Sequence, residues 1–215
     1  IKKHNKILTA KNRADAINRA IEKKFNFVVL DDGYQDLSIK KNLNIVCFHS
    51  RQKLGNGHLI PAGPLRESLN TLKNCQIILI NGKKDLEFEI KLKKYNSKLK
   101  FFYYSYYSKN IGNFKNKKLM AFAGIGNPQN FFDFLKENHL NVVKEINYPD
   151  HYEYTEKDLE NLEKLANKYK AQLITTEKDH LRINSFVRKR FDCIKVDLRF
   201  EDEESFKNSL KEFMV

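Results

Sequence analysis

The chain has 215 residues, a mass of 25.4 kDa and 41% hydrophobic residues. That is enough for one large domain or two small ones with a real core, and it excludes global disorder. Forty Lys+Arg against 27 Asp+Glu give a net charge of +13, which favours anionic partners, and no apolar run approaches the ~18 residues of a membrane span. Cys47, Cys75 and Cys193 are widely spaced and odd in number, so they form neither a zinc pattern nor a disulfide framework. Their strand-like neighbours predict buried free thiols in a reducing compartment.

In chain order, residues 10–24 place Ala14, Ile17, Ala20 and Ile21 on one helix face. FNFVVL (25–30) is a continuous apolar run and reads as a buried strand. NIVCF (44–48) and QIILI (76–80) read as two more, and the stretches between them predict a parallel α/β sheet. GNGHLIPAGPLRE (55–67) reads as a Gly/Pro loop leading into a helix. LEFEIKL (86–92) alternates apolar and charged residues like a half-exposed strand, and LKFFYYSYYS (99–108) reads as a second extended piece. KLMAFAG (118–124) restarts the α/β pattern as a strand, followed by a Gly-x-Gly turn and the helix FFDFLKEN (131–138). NVVKEINY (141–148) is a strand. Residues 155–170 form a helix capped by Thr155, with Asp158 at capping-box spacing and Leu159, Leu162, Leu165 and Ala166 on one face. QLITT (172–176) and FDCIKVDLRF (191–200) read as strands and 202–213 as a terminal helix.

Five segments carry chemistry-bearing residues. VVLDDGYQD (28–36) reads as a strand ending in two adjacent carboxylates, Asp31 and Asp32. An apolar strand ending in Asp is the form of a Walker-B element, whose carboxylate holds Mg²⁺ on nucleotide phosphates; the structural alternative is an Asp-Gly turn. In GNGHLIPAGPLRE, Arg66 at the helix start can fork onto a phosphate, or pair with a neighbouring carboxylate. AFAGIGNPQNFF (121–132) starts like a dinucleotide fingerprint but has Gln129 where the third Gly belongs, so a tight turn into a helix is the better reading. NYPDHYEYT (147–155) offers Asp150 and His151, a general base or a loop histidine. LITTEKDHLR (173–182) is read as helix capping.

Taken together, LDDGYQ, GNGHLIPAGPLRE, AFAGIGNPQNFF, YPDHYEYT and TTEKD occur in one order and span most of the chain. In this the sequence resembles the tetraacyldisaccharide 4'-kinase (lipid A 4'-kinase) family. The resemblance implies transfer of the γ-phosphate of ATP, with Mg²⁺, to the 4'-hydroxyl of a lipid-anchored disaccharide 1-phosphate. It implies an α/β fold: an incomplete P-loop kinase-type parallel sheet plus a second, smaller α/β domain, joined by an extended two-stranded linker with the active site in the cleft between. The expected divisions are residues 1–88 for the kinase-domain part, 89–117 for the linker strands, 118–200 for the small domain and 201–215 for a terminal helix packing back on the first. By the same match, Asp31 and Asp32 bind Mg²⁺, Gly33 and Gln35 contact the nucleotide, Arg66 contacts a phosphate, and His151 supports a base with Asp150 behind it.

The family's glycine-rich GxxxxGK[ST] loop is not in this sequence, so the chain is expected to be the C-terminal portion of the kinase, inactive alone. The expected location is the cytoplasmic face of the inner membrane, against anionic lipid, as a monomer with no nucleic-acid partner. Asp36 replaces a His often found after DDGxQ, and His180 stands where a small residue is usual. The alternatives are a basic nucleic-acid-binding module, stacking bases on Tyr103, Tyr104, Tyr106 or Tyr107, and a fragment of another P-loop NTPase.

Overall fold

The computed structural model describes residues 7–213. The chain divides into two compact units, one reaching to Ser105 and resuming at Arg199, the other spanning Tyr106–Leu198. The α/β class expected from the sequence is the one observed.

The first unit is built on a sheet of order β1-β2-β3-β8. Strands β1 (Ile45–His49), β2 (Ile77–Asn81) and β3 (Lys100–Ser108) run parallel, with Ile45 opposite Ile77 and Ile77 opposite Lys100. Strand β8 (Val196–Phe200) completes it. Ile77, Ile78 and Ile80 are fully buried, as a strand covered on both faces requires. Leu54, Leu72, Phe88, Leu92 and Tyr103 pack around them.

Helix α1 (Arg13–Glu22) starts where Asn12 accepts from the Asp15 N–H. Helix α2 (Leu86–Lys93) occupies the stretch read as an alternating strand. The pattern fits both periods, but Asp85 caps the Phe88 N–H at 3.0 Å, acids open the first turn and lysines close the last. Phe88, Glu89 and Leu92 then share the buried face, and that packing decides the period. Helix α6 (Glu203–Lys211) ends the unit.

A second correction concerns FNFVVL. No strand forms over residues 25–30, and Phe27, Val28 and Val29 are 62%, 45% and 81% exposed. A run of β-branched residues becomes a buried strand only when a neighbour supplies ladder bonds and a cover. Among the described residues no strand pairs with it. A third concerns residues 191–200, which form two strands. β7 (Asp192–Ile194) pairs parallel with β6 (Gln172–Thr176), and the chain leaves that ladder at Lys195, whose N–H goes to Asn110.

The second unit has a parallel sheet of order β5-β4-β6-β7, with β4 (Lys118–Ala123) central and β5 (Asn141–Asn147) on its edge. Leu119 to Ala123 are all fully buried. Helix α3 (Pro128–Glu137) lays Phe131, Phe132 and Leu135 on one face of the sheet. Helix α4 (Glu156–Tyr169) covers the other with Leu159, Leu162 and Ala166, its start secured by a full capping box between Thr155 and Asp158. Helix α5 (Glu177–Arg182) follows β6 directly, capped by Thr176.

The three cysteines are free, but only Cys75 is buried; Cys47 is exposed and Cys193 half-buried. Burial pushes the Cys75 thiol up to about 11.

Candidate active site

Two of the five segments meet in the first unit. Asp31 and Asp32 lie in a turn rather than at a strand end, because the run before them joins no sheet. Asp32 takes a left-handed backbone, φ 49°, which Asp tolerates better than most residues. The next residue is glycine because a Cβ on Gly33 would sit 2.6 Å from the Leu30 Cβ. Arg66 reaches this turn from the second segment and forks onto the Asp32 carboxylate, Nη1 to Oδ1 at 2.5 Å and Nη2 to Oδ2 at 3.1 Å. That fork holds the Asp32 carboxyl below its ordinary range, its hydrogen bond outweighing the opposing effect of burial, with the Arg66 and Arg13 charges adding to the lowering. Arg66 itself does not open a helix; a 3₁₀ turn starts later, at Leu69, behind the cap Ser68.

Arg13 closes the other side. It donates to the backbone oxygens of Asp32 at 3.0 Å and Asp31 at 3.4 Å, and to the Asp36 carboxylate at 3.1 Å. Asp36 also accepts from the Ser38 side chain and backbone. Those two bonds, then Arg13, lower its carboxyl to about 2. Thus Asp36, the departure from the family pattern, is spent on the turn. Lys41 bonds the oxygens of Gly33, Tyr34 and Asp36, and the Tyr34 hydroxyl donates to Thr71 O at 2.7 Å.

Two groups are left without partners in this tightly bonded turn. The exposed Asp31 carboxylate makes no hydrogen bond or ion pair among the described residues. Gln35 Oε1 is buried and unpartnered, a state that costs ~1–3 kcal/mol unless something donates to it. No cluster of three metal-ligating side chains exists among the described residues. A magnesium ion on nucleotide phosphates needs only one or two carboxylates, the rest of its shell being phosphate and water, so the pair fits that ion and not an all-protein metal cage.

The other three segments meet in the second unit. Where β4 ends, Gly124 is hemmed in: a Cβ there would lie 3.1 Å from Pro149 O, Tyr152 Cβ and the Tyr154 hydroxyl. Its N–H donates to Asp179 Oδ2 at 3.1 Å and its oxygen accepts from the His151 N–H at 3.1 Å. His151 has φ 59° and its side chain is 82% exposed. The Asp150 carboxylate accepts from the His151 N–H at 2.9 Å, with its other oxygen 3.8 Å from Nε2. From α5, Arg182 donates to Gly124 O at 2.6 Å, to Asp179 Oδ1 at 3.1 Å and to His151 Nδ1 at 3.2 Å. Asp179 is completely buried.

Beneath the loop, Tyr148, Tyr152 and Tyr154 pack with ring centroids 4.7–5.3 Å apart. Burial raises the Tyr148 hydroxyl to about 12. It raises Tyr154 further, with the charge and hydrogen bonding of Asp179 adding to it.

The structure therefore joins Asp32 with Arg66, and Asp150 with His151. It adds Arg13, Asp179 and Arg182, to which the sequence alone assigned no site role. Asp179 and Arg182 stand three apart on α5, a spacing that puts them on one helix face and was the available signal. For Arg13, 23 residues from Asp36, no local signal exists. Tyr103, offered as a base-stacking residue, is buried and bonds Glu89 at 2.9 Å, so it presents no ring face to a base.

The family model for "LpxK: Tetraacyldisaccharide-1-P 4'-kinase" matches residues 1–215. The tetraacyldisaccharide 4'-kinase of Pelagibacter ubique (strain HTCC1062) is 37% identical over 213 residues, covering 98% of this chain and 68% of that protein. That of Rickettsia bellii is 38% identical over 182 residues, covering 84% and 56%. The crystal structure of LpxK from Aquifex aeolicus in complex with ATP superposes with a TM-score of 0.65 at 21% identity, over 94% of this chain and 62% of that one; this likeness is one of fold. The chain thus spans roughly three fifths of the length of the relatives it matches.

Proposed function

The chain belongs to the tetraacyldisaccharide-1-P 4'-kinase family, and we propose on that footing that it takes part in ATP-dependent phosphorylation of the 4'-hydroxyl of a lipid-anchored disaccharide 1-phosphate. The observation that carries this reading is the Asp31 carboxylate, without a partner among the described residues, beside an Asp32 that Arg66 has fixed in place. Magnesium bound there would neutralise and orient the triphosphate.

Asp31 supplies the free carboxylate for that ion, and Asp32, held by the fork, supports it directly or through water. Arg66 spends one N–H of each Nη on Asp32 and has three more donors with which to face a phosphate oxygen. Gln35 Oε1 needs a donor, and a nucleotide hydroxyl or amino group fills that role; Gly33 lets the turn close over Leu30. In the second unit His151 presents an accessible imidazole that can orient or support an acidic base taking the proton of the attacking hydroxyl, with Asp150 holding its backbone. The net charge of +13 suits a phosphorylated acceptor held among anionic lipids at the cytoplasmic face of the inner membrane. No helix among the described residues is long and apolar enough to cross a membrane.

The test is ATP-dependent phosphate transfer to a tetraacyldisaccharide 1-phosphate by the 215-residue chain and by the full-length gene product. The full-length protein should turn over and the 215-residue chain, which has no GxxxxGK[ST] loop, should not. A full-length protein without transfer activity refutes the function; turnover by the chain alone refutes its need for more polypeptide.

A further inference from the structure

The imidazole of His151 is exposed, yet one of its nitrogens is spoken for. Arg182 Nη2 lies 3.2 Å from His151 Nδ1. A guanidinium is always protonated and has no acceptor, so the arginine is the donor in that contact. Nδ1 must then carry its lone pair, and the ring proton of the neutral histidine sits on Nε2. The arginine is itself firmly placed: its other terminal nitrogen bonds Gly124 O at 2.6 Å and Asp179 Oδ1 at 3.1 Å. Its side chain is only 22% exposed. Asp179, fully buried, is fixed in turn by the Gly124 N–H and the Thr176 hydroxyl. The same two residues thus tie the end of β4, the start of α5 and the histidine loop together. Helix capping alone accounts for the Thr176–Asp179 bonds but not for a guanidinium turned onto an imidazole 31 residues away.

We propose that Arg182, braced by buried Asp179, is a positioning residue that sets the tautomer and ring orientation of His151, leaving Nε2–H as a hydrogen-bond donor presented toward the reacting groups. The catalytic part of this proposal rests on the kinase reading; the Arg182–His151 contact does not. Which ring nitrogen carries the proton, and so can donate toward the reacting groups, is set by what the other nitrogen bonds. A misdirected ring lowers turnover without changing what the protein binds.

Two measurements test it. In long-range ¹H–¹⁵N spectra of the 215-residue chain above neutral pH, with the His151 signals assigned by His151→Gln, Nδ1 should be bare and Nε2 protonated. Arg182→Gln should shift the averaged signals toward a mixture of tautomers, and Arg182→Lys should fall between. A protonated Nδ1 in the unmodified chain, which needs no variant to detect, overturns the proposal, as do His151 signals unmoved by Arg182→Gln. In the full-length kinase, Arg182→Gln should lower kcat roughly ten- to a hundredfold with little change in KM for either substrate, and Arg182→Lys should recover part of it. An unchanged kcat overturns the catalytic half. An unchanged kcat in His151→Gln instead removes the role assigned to His151 itself, while the tautomer spectra still decide the contact.

Discussion

At the scale of single residues, the acidic turn owes its shape to short-range bonds whose loss is measurable. Asp36 titrates near 2 in the folded state against an ordinary 3.8. A depressed carboxyl stabilises the fold above its ordinary pKa, and that contribution fades as pH falls toward 2. In urea unfolding, Ser38→Ala should therefore lower stability at pH 6 and differ little from the unmodified chain near pH 2; an equal effect at both would contradict the assignment. Gly33→Ala places a methyl against Leu30 and should cost about 1–3 kcal/mol. Gly112→Ala, with nothing within 4 Å, should be close to neutral in the same melt. Thiol reagents should modify exposed Cys47 first and buried Cys75 last. Legibility at this scale was uneven. Asp31, Asp32, Arg66, Asp150 and His151 stand out in the sequence because carboxylates, a guanidinium and an imidazole beside Gly and Pro are unusual at element ends. Arg13 and the Asp179–Arg182 pair look like any charged helix residues until the fold brings distant backbone oxygens to them.

At the scale of elements, legibility followed whether local chemistry and tertiary cover agreed. Helix α4 combines a capping box with a 3.6-residue apolar stripe, and both survive in the structure. Thr155→Ala should remove about 1 kcal/mol of stability, and Leu162→Ala, which empties a buried site behind β4, about 2–5 kcal/mol. The opposite order in denaturant melts would contradict the burial of Leu162 between α4 and the sheet. The strand β2 was legible because its isoleucine run lies between β1 and β3 and packs against Phe88 and Leu92 of α2. The run 25–30 is also apolar but has no ladder partner among the described residues, so an apolar run gives an exposed segment. The stretch 86–92 failed for another reason: alternation and a helical stripe both fit it, and the Asp85 cap breaks the tie.

At the scale of the molecule, the five segments sort by unit: the acidic turn and the Arg66 loop in one, the glycine turn, the histidine loop and α5 in the other. Each cluster is held by bonds within its own unit. The surplus of 13 positive charges should drive binding to vesicles containing anionic lipid, weakening steeply as salt shortens the range of the attraction; binding equally to zwitterionic vesicles would point to something other than charge. In the proposed function Asp31 is the carboxylate reserved for the magnesium–nucleotide. Its most direct test is transfer of radiolabelled γ-phosphate from ATP to the disaccharide 1-phosphate by full-length protein carrying Asp31→Asn, a change that keeps the shape and removes the charge. Most turnover should be lost, with an unaltered thermal melt because the Asp31 carboxylate makes no bond among the described residues. Turnover near that of the unmodified enzyme would contradict the claim.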